Sequence, residues 1–365
     1  MTTKRLPFID GLRGIAVLAI VLFHAFARWP ELYPYGYQFA DLPFLNTRTA
    51  GVNLFFMISG FVILMSLRRC QGYWDFLERR WLRLFPAMLL CSLLIIGTAF
   101  FLPERPAGAV RFWDILPGLT LIGDQGLVRP LWVSLSQLIG YIPHSLEGVF
   151  WSLYIEVKFY ILFGGAFFLL GERRAIATLL LLFALNRVVL DPTLNAPLHR
   201  FLIAARFDEV ATFFRFDTYG FFAAGALLCL AHDTSRKFFL LAAIAIGSIS
   251  ILSLPNLWLV NLVFLALICG AVASSRLQQI LANRLLLFLG FVSYPLYLLH
   301  ENIMVALIIK LGRVAPNLSD VLLPVLPIMG VIGLAWLIAS FGEPALKRAL
   351  AIKPFKTPST ASQAG

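Results

Sequence analysis

Two histidines and a glutamate lie inside apolar stretches, where ionisable groups are costly to bury. His24, Glu156 and His300 come from three distant parts of the chain. A charged side chain at the centre of a bilayer costs about 2.5–3.5 kcal/mol on insertion scales, so such residues are usually functional. On helices the three fall at a similar depth, and two imidazoles with a carboxylate suit acid–base chemistry. We predict His24, Glu156 and His300 as catalytic residues.

The first apolar stretch also carries an arginine whose position is related to that of His24. His24 follows Arg13 by eleven positions, which on an α-helix places both side chains on one face, roughly 16 Å apart. Asp10, three residues before Arg13, can pair with it. The alternative interpretation is an interfacial ion pair together with a histidine that is hydrogen-bonded inside a helix bundle.

A run of arginines precedes the third apolar stretch. Arg80 and Arg83 would lie one helical turn apart, and their forked donors suit phosphate groups. The alternative is that they only determine topology. On the helices of Glu156 and His300, Ser152 and Tyr297 occupy the same faces as those residues, which makes both supporting candidates.

The elements that position these residues are apolar helices. Of 365 residues, 60% are hydrophobic and 13% are charged, and the mean hydropathy is +0.84. A soluble chain has about 25% charged residues, so an ordinary soluble enzyme is excluded. The net charge of +11 lies in short segments between apolar stretches, which indicates membrane orientation rather than nucleic-acid binding. The four cysteines have no ligand spacing, so we predict neither a disulfide nor a metal site.

The pattern predicts an all-α polytopic membrane protein of about ten transmembrane helices, with both termini cytoplasmic because the basic segments then lie inside. Residues 1–350 would form the transmembrane domain, and residues 351–365 a disordered cytoplasmic tail. Within 103–148, the short apolar pieces 115–123 and 131–142 are expected to be interfacial or re-entrant helices. The predicted spans are 10–28, 50–67, 84–102, 150–170, 175–190, 216–231, 238–254, 257–275, 285–304 and 321–342.

Together the motifs resemble the acyltransferase-3 family, the bacterial multi-span membrane O-acyltransferases. Arg13 and His24 match its Arg/Lys-x10-His motif, and Arg80 with Arg83 resembles its cytoplasmic Arg-x-x-Arg motif. Where the family has a second Ser and a second Glu in its fourth-span motif, this chain has Tyr154 and Val157. Further similar segments are 8–16, 51–61 with Ser59 as a supporting residue, 151–160, 293–300 and Glu343-Pro344.

The resemblance implies transfer of an acyl group, most often acetyl, from cytoplasmic acyl-coenzyme A to a hydroxyl of a cell-envelope, lipid-linked or secreted carbohydrate. Arg13, Arg80 and Arg83 would bind this donor, and His24 would be the general base. The implied location is the bacterial inner membrane. The partners would be acyl-coenzyme A, the glycan or glycoside acceptor and membrane lipid, with no permanently bound cofactor. The rival hypotheses are a glycolipid transporter or flippase, and a non-catalytic scaffold.

Overall fold

The computed structural model describes residues 6–106, 108, 110–123, 128–254 and 258–350, and these ranges form helices and connecting turns without a β-strand. The all-α polytopic membrane fold is therefore confirmed. The predicted tail, 351–365, lies outside the described residues.

The helices are numbered in chain order. Short 3-10 helices, Phe112–Asp114, Gly148–Phe150 and Phe216–Thr218, lead into α4, α6 and α10, and a π-helix, Ile338–Gly342, joins α16 to α17. The α-helices are α1 (Pro7–Phe26), α2 (Ala50–Leu67), α3 (Tyr73–Ala99), α4 (Ile115–Thr120), α5 (Arg129–Ile139), α6 (Trp151–Leu170), α7 (Glu172–Leu190), α8 (Ala196–Ala204), α9 (Phe207–Phe214), α10 (Tyr219–Thr234), α11 (Lys237–Leu252), α12 (Trp258–Ala273), α13 (Ser275–Leu281), α14 (Arg284–Leu299), α15 (Asn302–Val314), α16 (Leu322–Leu337) and α17 (Glu343–Ala349).

Five helical segments among the described residues are long and apolar enough to cross a membrane. They are α1, α2, α3, the segment that contains α6 and the segment that runs from α16 to α17. Three further pairs of helices pass the same test together but are bent by more than 40° at a short break, which gives up to eight spans. The count of ten spans and the cytoplasmic location of both termini remain predictions.

The core of the bundle is built where α1 packs against α14 and α2 packs against α10. Glycines allow the close approach of the first pair. A Cβ at Gly14 of α1 would overlap the carbonyl oxygen of Leu286 in α14, and one at Gly290 of α14 would overlap the carbonyl oxygen of Asp10 in α1. Because membrane helices gain little from hydrophobic association in lipid, small residues that let backbones pack closely are the usual contact. The glycines thus bring the helices of His24 and His300 together.

The predicted start of the third span, at residue 84, is wrong. α3 begins at Tyr73, eleven residues earlier, so Arg80 and Arg83 lie within a continuous helix. Asp75 accepts a hydrogen bond from the backbone N–H of Gln71 and pairs with Arg79 one turn later. Arginine is a good helix former, so nothing in this segment stops the helix before the apolar part begins.

The predicted ninth span, 285–304, is also wrong at its end. α14 ends at Leu299, and α15 begins at Asn302 after a bend of 76°. His300 and Glu301 form the break. The apolar pattern continues across it, which is why hydropathy alone joined the two helices.

The segment 103–148 contains short helices, as expected. α4 and α5 lie at 115–120 and 129–139, close to the two short apolar pieces found in the sequence. Their predicted position at the membrane surface remains a prediction.

Candidate active site

The two predicted histidines are in direct contact. The rings of His24 and His300 have centroids 4.7 Å apart at an angle of 79°, and Nδ1 of His24 lies 3.2 Å from Nε2 of His300. Both are buried, His300 completely. The last full turn of α1 supplies His24, and the break after α14 supplies His300, so 276 positions of sequence separate two rings that touch.

Their other contacts assign the protons. Nδ1 of His300 lies 2.9 Å from the carbonyl oxygen of Tyr297, and since a carbonyl only accepts, this nitrogen carries the hydrogen. In a neutral ring Nε2 of His300 then accepts a hydrogen bond from Nδ1 of His24, which also lies 2.9 Å from the carbonyl oxygen of Ile20. This arrangement leaves the lone pair of His24 on Nε2, where a base needs it.

The segment between α1 and α2 anchors the end of α1. The Tyr33 hydroxyl donates to the backbone carbonyl of His24, and that of Tyr35 to the carbonyl of Ala25. Burial raises the pKa of both phenols, so they remain protonated donors. The hydroxyl of Thr47 donates to the carbonyl of Ala19 at 3.0 Å. The carbonyls of His24 and Ala25, which belong to the last turn of α1 and have no partner within the helix, are thereby satisfied by the two tyrosines.

His24 lines a large cavity. Its volume is about 700 Å³, within the usual range of about 300–1,000 Å³ for small-molecule sites. The ring of Trp29 lies 5.5 Å from that of His24. Besides His24, the polar and aromatic side chains of the cavity wall are Phe23, Arg28, Tyr37, Asp41, Asn46, Arg48, Thr49, Trp151, Tyr297 and Glu301. We call this space the histidine cavity.

The predicted donor-binding arginines share a second, narrower cavity of about 90 Å³, here called the arginine cavity. Arg13, Arg80 and Arg83 line it together with Ser59 and Glu156. The hydroxyl of Ser59 donates to Oε1 of Glu156 at 2.6 Å. The carboxylate therefore faces three guanidinium groups in one small space, where it offsets part of their charge.

Arg80 is held in place by neighbours of several kinds. Its guanidinium donates to the hydroxyl of Ser66 and lies 5.8 Å and 6.0 Å from the ring centroids of Phe76 and Tyr160. Aromatic faces attract cations at such distances. Its Nε is buried with no hydrogen-bond partner in the described part of the chain, a donor that a ligand in this cavity could satisfy.

One side chain separates the two cavities. Tyr297 lines both, and its hydroxyl donates to the carbonyl oxygen of Val149 at 2.8 Å. Since that proton is committed, the hydroxyl of Ser152, 2.7 Å away, donates to Tyr297. The predicted supporting residues Ser152 and Tyr297 thus form a hydrogen-bonded wall between the cavities.

The three predicted catalytic residues lie at a similar depth on their helices, but the structure does not bring all three into one site. Glu156 lines the arginine cavity and is absent from the wall of the histidine cavity, while His24 and His300 lie in contact. Asp10, in the first turn of α1, lies close enough to Arg13 to attract its charge, although it lines neither cavity. The roles of these residues remain predictions.

Sequence reasoning missed Glu301 and Glu147. Glu301 lines the histidine cavity directly after His300, and Glu147 contacts the same helix break. A carboxylate beside His300 in an apolar stretch was a usable signal for Glu301. Among the described residues, no group of three His, Cys, Asp or Glu side chains could hold a metal ion.

Comparison with known proteins identifies the family of this chain. The profile of the acyltransferase-3 family, described as an acyltransferase domain, matches residues 6–340. The chain belongs to the acyltransferase-3 family. It is 31% identical over 171 residues to the O-acetyltransferase OatA of Staphylococcus aureus, which covers 44% of this chain and 24% of that protein. It is 31% identical over 166 residues to the acyltransferase MdmB of Streptomyces mycarofaciens, which covers 44% of this chain and 38% of that one. The matches thus span well under half of either relative, and no solved structure matches.

Proposed function

We propose that this protein is a membrane O-acyltransferase that moves an acyl group, acetyl in the first instance, from acyl-coenzyme A to a carbohydrate hydroxyl. The contact between His24 and His300 at the wall of a cavity large enough for a sugar carries the proposal. Membership of the acyltransferase-3 family supports it, as do relatives named for O-acetyl and acyl transfer.

In the proposed reaction His24 is the general base. Its Nε2 takes the proton of the acceptor hydroxyl while the oxygen forms a bond to the thioester carbonyl carbon. The tetrahedral intermediate then collapses, the C–S bond breaks, and the proton returns from His24 to the sulfur. The products are an O-acyl ester and free coenzyme A. His300 orients His24 by accepting from its Nδ1–H and stabilises the charge that develops on the ring. Proton transfer of this kind contributes about 10²–10⁴-fold.

The donor would enter through the arginine cavity. Coenzyme A carries several phosphate groups, and guanidinium groups bind phosphate through paired, charge-assisted hydrogen bonds. Arg13, Arg80 and Arg83 supply such donors, and the narrow space beside them is suited to a thin pantetheine arm rather than a sugar. For the thioester to reach His24, the wall formed by Ser152 and Tyr297 must open.

The acceptor would occupy the histidine cavity, which offers several hydrogen-bonding side chains and the aromatic rings of Tyr37, which is exposed, and Trp151, which is partly buried. We propose a glycan or glycoside of the cell envelope, a lipid-linked sugar or a secreted glycoside as this acceptor. The proposed location is the bacterial inner membrane, with the donor approaching from the cytoplasm and the acceptor from the opposite side.

The proposal is tested with purified protein, radiolabelled acetyl-coenzyme A and cell-envelope glycan. His24→Ala should lower kcat by about 10²–10⁴-fold, because the base is lost. His199→Ala is the matched control, since this histidine lines neither cavity. Wild-type protein that moves glycan across vesicles without labelling it would instead indicate a flippase. Full activity of His24→Ala would remove His24 as the base.

A further inference from the structure

Two glutamates join the start of α6 to the break between α14 and α15. Glu147 directly precedes the 3-10 helix that leads into α6, and Glu301 directly precedes α15. Each occupies the N-cap position of its helix, yet neither side chain caps its own helix. The first N–H groups of a helix have no partner within it, so buried helix starts need acceptors from elsewhere.

The two glutamates cap each other's helices. Oε2 of Glu301 accepts from the backbone N–H of Val149 at 2.6 Å, and Oε2 of Glu147 accepts from that of Asn302 at 3.0 Å. The side-chain amide of Asn302 adds a bond to the carbonyl of Leu146 at 3.0 Å. We call the four residues Glu147, Val149, Glu301 and Asn302 the reciprocal cap.

The reciprocal cap is buried and closely packed. Glu147 and Asn302 are 0% exposed, and Glu301 is 6% exposed. A Cβ at Gly148 would stand 2.7 Å from Oε1 of Glu301, so a larger residue there would displace this carboxylate. Burial, followed by the nearby carboxylate of Glu301, raises the pKa of Glu147 well above its usual value. Two carboxyl groups that are buried beside each other are stable when one of them holds a proton.

The reciprocal cap lies next to the proposed base and its partner. Glu301 follows His300 directly, and the ring of Tyr297, one turn earlier, lies 5.5 Å from that of His300. Val149 bonds to both sides of the break: its N–H donates to Glu301, and its carbonyl accepts from Tyr297. The direction in which His300 leaves α14 is therefore set by bonds to the start of α6.

We propose that Glu147 and Glu301 are positioning residues that hold His300 against Nδ1 of His24, and so keep the lone pair of His24 on Nε2. This inference rests on the proposed acyl transfer for its kinetic part. Glu147 lines neither cavity, so it would act on the reaction through the helix break that carries His300 and Glu301. A helix cap that served stability alone would leave the chemistry of each folded molecule unchanged.

The first experiment separates positioning from stability. Glu147→Ala should lower kcat per folded molecule by about 10- to 100-fold, since small misplacements of a catalytic group cost this much, while both KM values change little. Glu147→Gln keeps an acceptor for the N–H of Asn302 and should restore most of kcat. Glu104→Ala is the control: this glutamate pairs with Arg313 of α15 without touching the helix break.

If Glu147→Ala does not fold, Glu147→Asp provides the test, because it retains the carboxyl group and shortens its reach to Asn302. A kcat for folded Glu147→Ala or Glu147→Asp within about twofold of wild type would overturn the proposal.

The second experiment needs no activity. In NMR spectra, histidine labelled with ¹⁵N reports which ring nitrogen carries the proton. Wild type should show Nδ1–H at both His24 and His300, and the His24→Ala variant identifies which signals belong to His24. In Glu147→Ala the His24 signal should become a mixture of tautomers, while Glu104→Ala should match wild type. An unchanged His24 signal would reject the positioning role. Absence of acyl transfer by wild type with this signal intact would reject only the proposed function.

Discussion

At the scale of single residues, the two histidines are chemically alike but would have different tasks in the proposed reaction. Each ring donates a hydrogen bond from Nδ1, but the acceptors differ. For His300 the acceptor is a backbone carbonyl, whereas Nδ1–H of His24 is shared between the imidazole of His300 and a backbone carbonyl. This order leaves one usable lone pair, on Nε2 of His24. The ring that reacts is therefore chosen by hydrogen bonding rather than by residue type.

This arrangement of hydrogen bonds predicts that different substitutions of His300 lower kcat to different degrees. His300→Ala should lower kcat about 100-fold, as expected when the group that orients a base is lost, with the donor KM unchanged. His300→Gln, whose Oε1 can accept from Nδ1–H of His24, should recover about tenfold of that loss. Steady-state kinetics with both substrates varied decides the matter. Equal kcat values for the two variants would contradict the assigned tautomers.

The arginine cavity predicts a donor-specific effect of Arg83→Gln. Loss of a charge-assisted hydrogen bond to a phosphate costs about 1.5–3 kcal/mol, so KM for acyl-coenzyme A should rise about 10- to 100-fold and KM for the acceptor should not. Arg79→Gln is the matched control on the same helix, because Arg79 pairs with Asp75 and is outside the cavity wall. An increase confined to the acceptor KM would remove Arg83 from the donor site.

Much of the candidate site could be found in the sequence because ionisable residues are conspicuous in apolar helices. The pairing of His24 with Arg13 on one helix face follows from spacing alone. The grouping across helices could not be predicted, since depth in a bilayer does not say which way a face points. Glu156 has a depth similar to that of His24 but faces the arginines. Glu147 was missed because it lies in a connecting segment, where a carboxylate has no unusual surroundings in the sequence.

At the scale of helices, close packing of α1 and α14 brings the two histidines into contact. Gly14 and Gly290 occupy this contact, and a Cβ at Gly14 would overlap the carbonyl oxygen of Leu286. Neither helix carries the complete histidine pair, so its geometry depends on how far apart the helices lie. Hydropathy could locate both helices, but it could not locate the break at His300, which side-chain hydrogen bonds stabilise against the apolar pattern.

Gly290→Ala should therefore lower both stability and activity. The added methyl group would overlap the carbonyl of Asp10, and overpacking of this kind typically costs about 1–3 kcal/mol. Gly330→Ala in α16 is the control, because a Cβ there meets nothing within 4 Å. Thermal unfolding in detergent and kcat should both show the difference. Equal unfolding temperatures for the two variants would argue against tight packing of α1 on α14.

At the scale of the whole molecule, the structure offers a space at each end of α1. Arg13 lines one cavity and His24 the other, roughly 16 Å apart along the helix. The basic segments of the sequence predict that the arginine end faces the cytoplasm. Donor and acceptor would then approach from opposite sides of the membrane.

Labelling of single cysteines tests this orientation. Residues 41 and 78 are both exposed. Asp41 lines the histidine cavity, and Glu78 lies on α3 two positions before Arg80, so Asp41→Cys and Glu78→Cys report on the two ends. A membrane-impermeant reagent added outside intact cells should label Asp41→Cys only, whereas Glu78→Cys should require opened cells. The reverse pattern would invert the protein and place the acceptor on the cytoplasmic side. The background replaces the native Cys70, Cys91, Cys229 and Cys269.

The hydrogen bond between Ser152 and Tyr297 also bears on the energy supply of the cell. Inner membranes store energy as a difference in proton concentration and voltage, and a continuous thread of water through a protein would discharge it. If the two cavities open to opposite sides of the membrane, as proposed, this pair of side chains would be the seal between them. An incoming thioester arm would then displace the pair and fill its place, so that the substrate itself would close the passage during turnover. Such a catalyst can work across a membrane without becoming a leak.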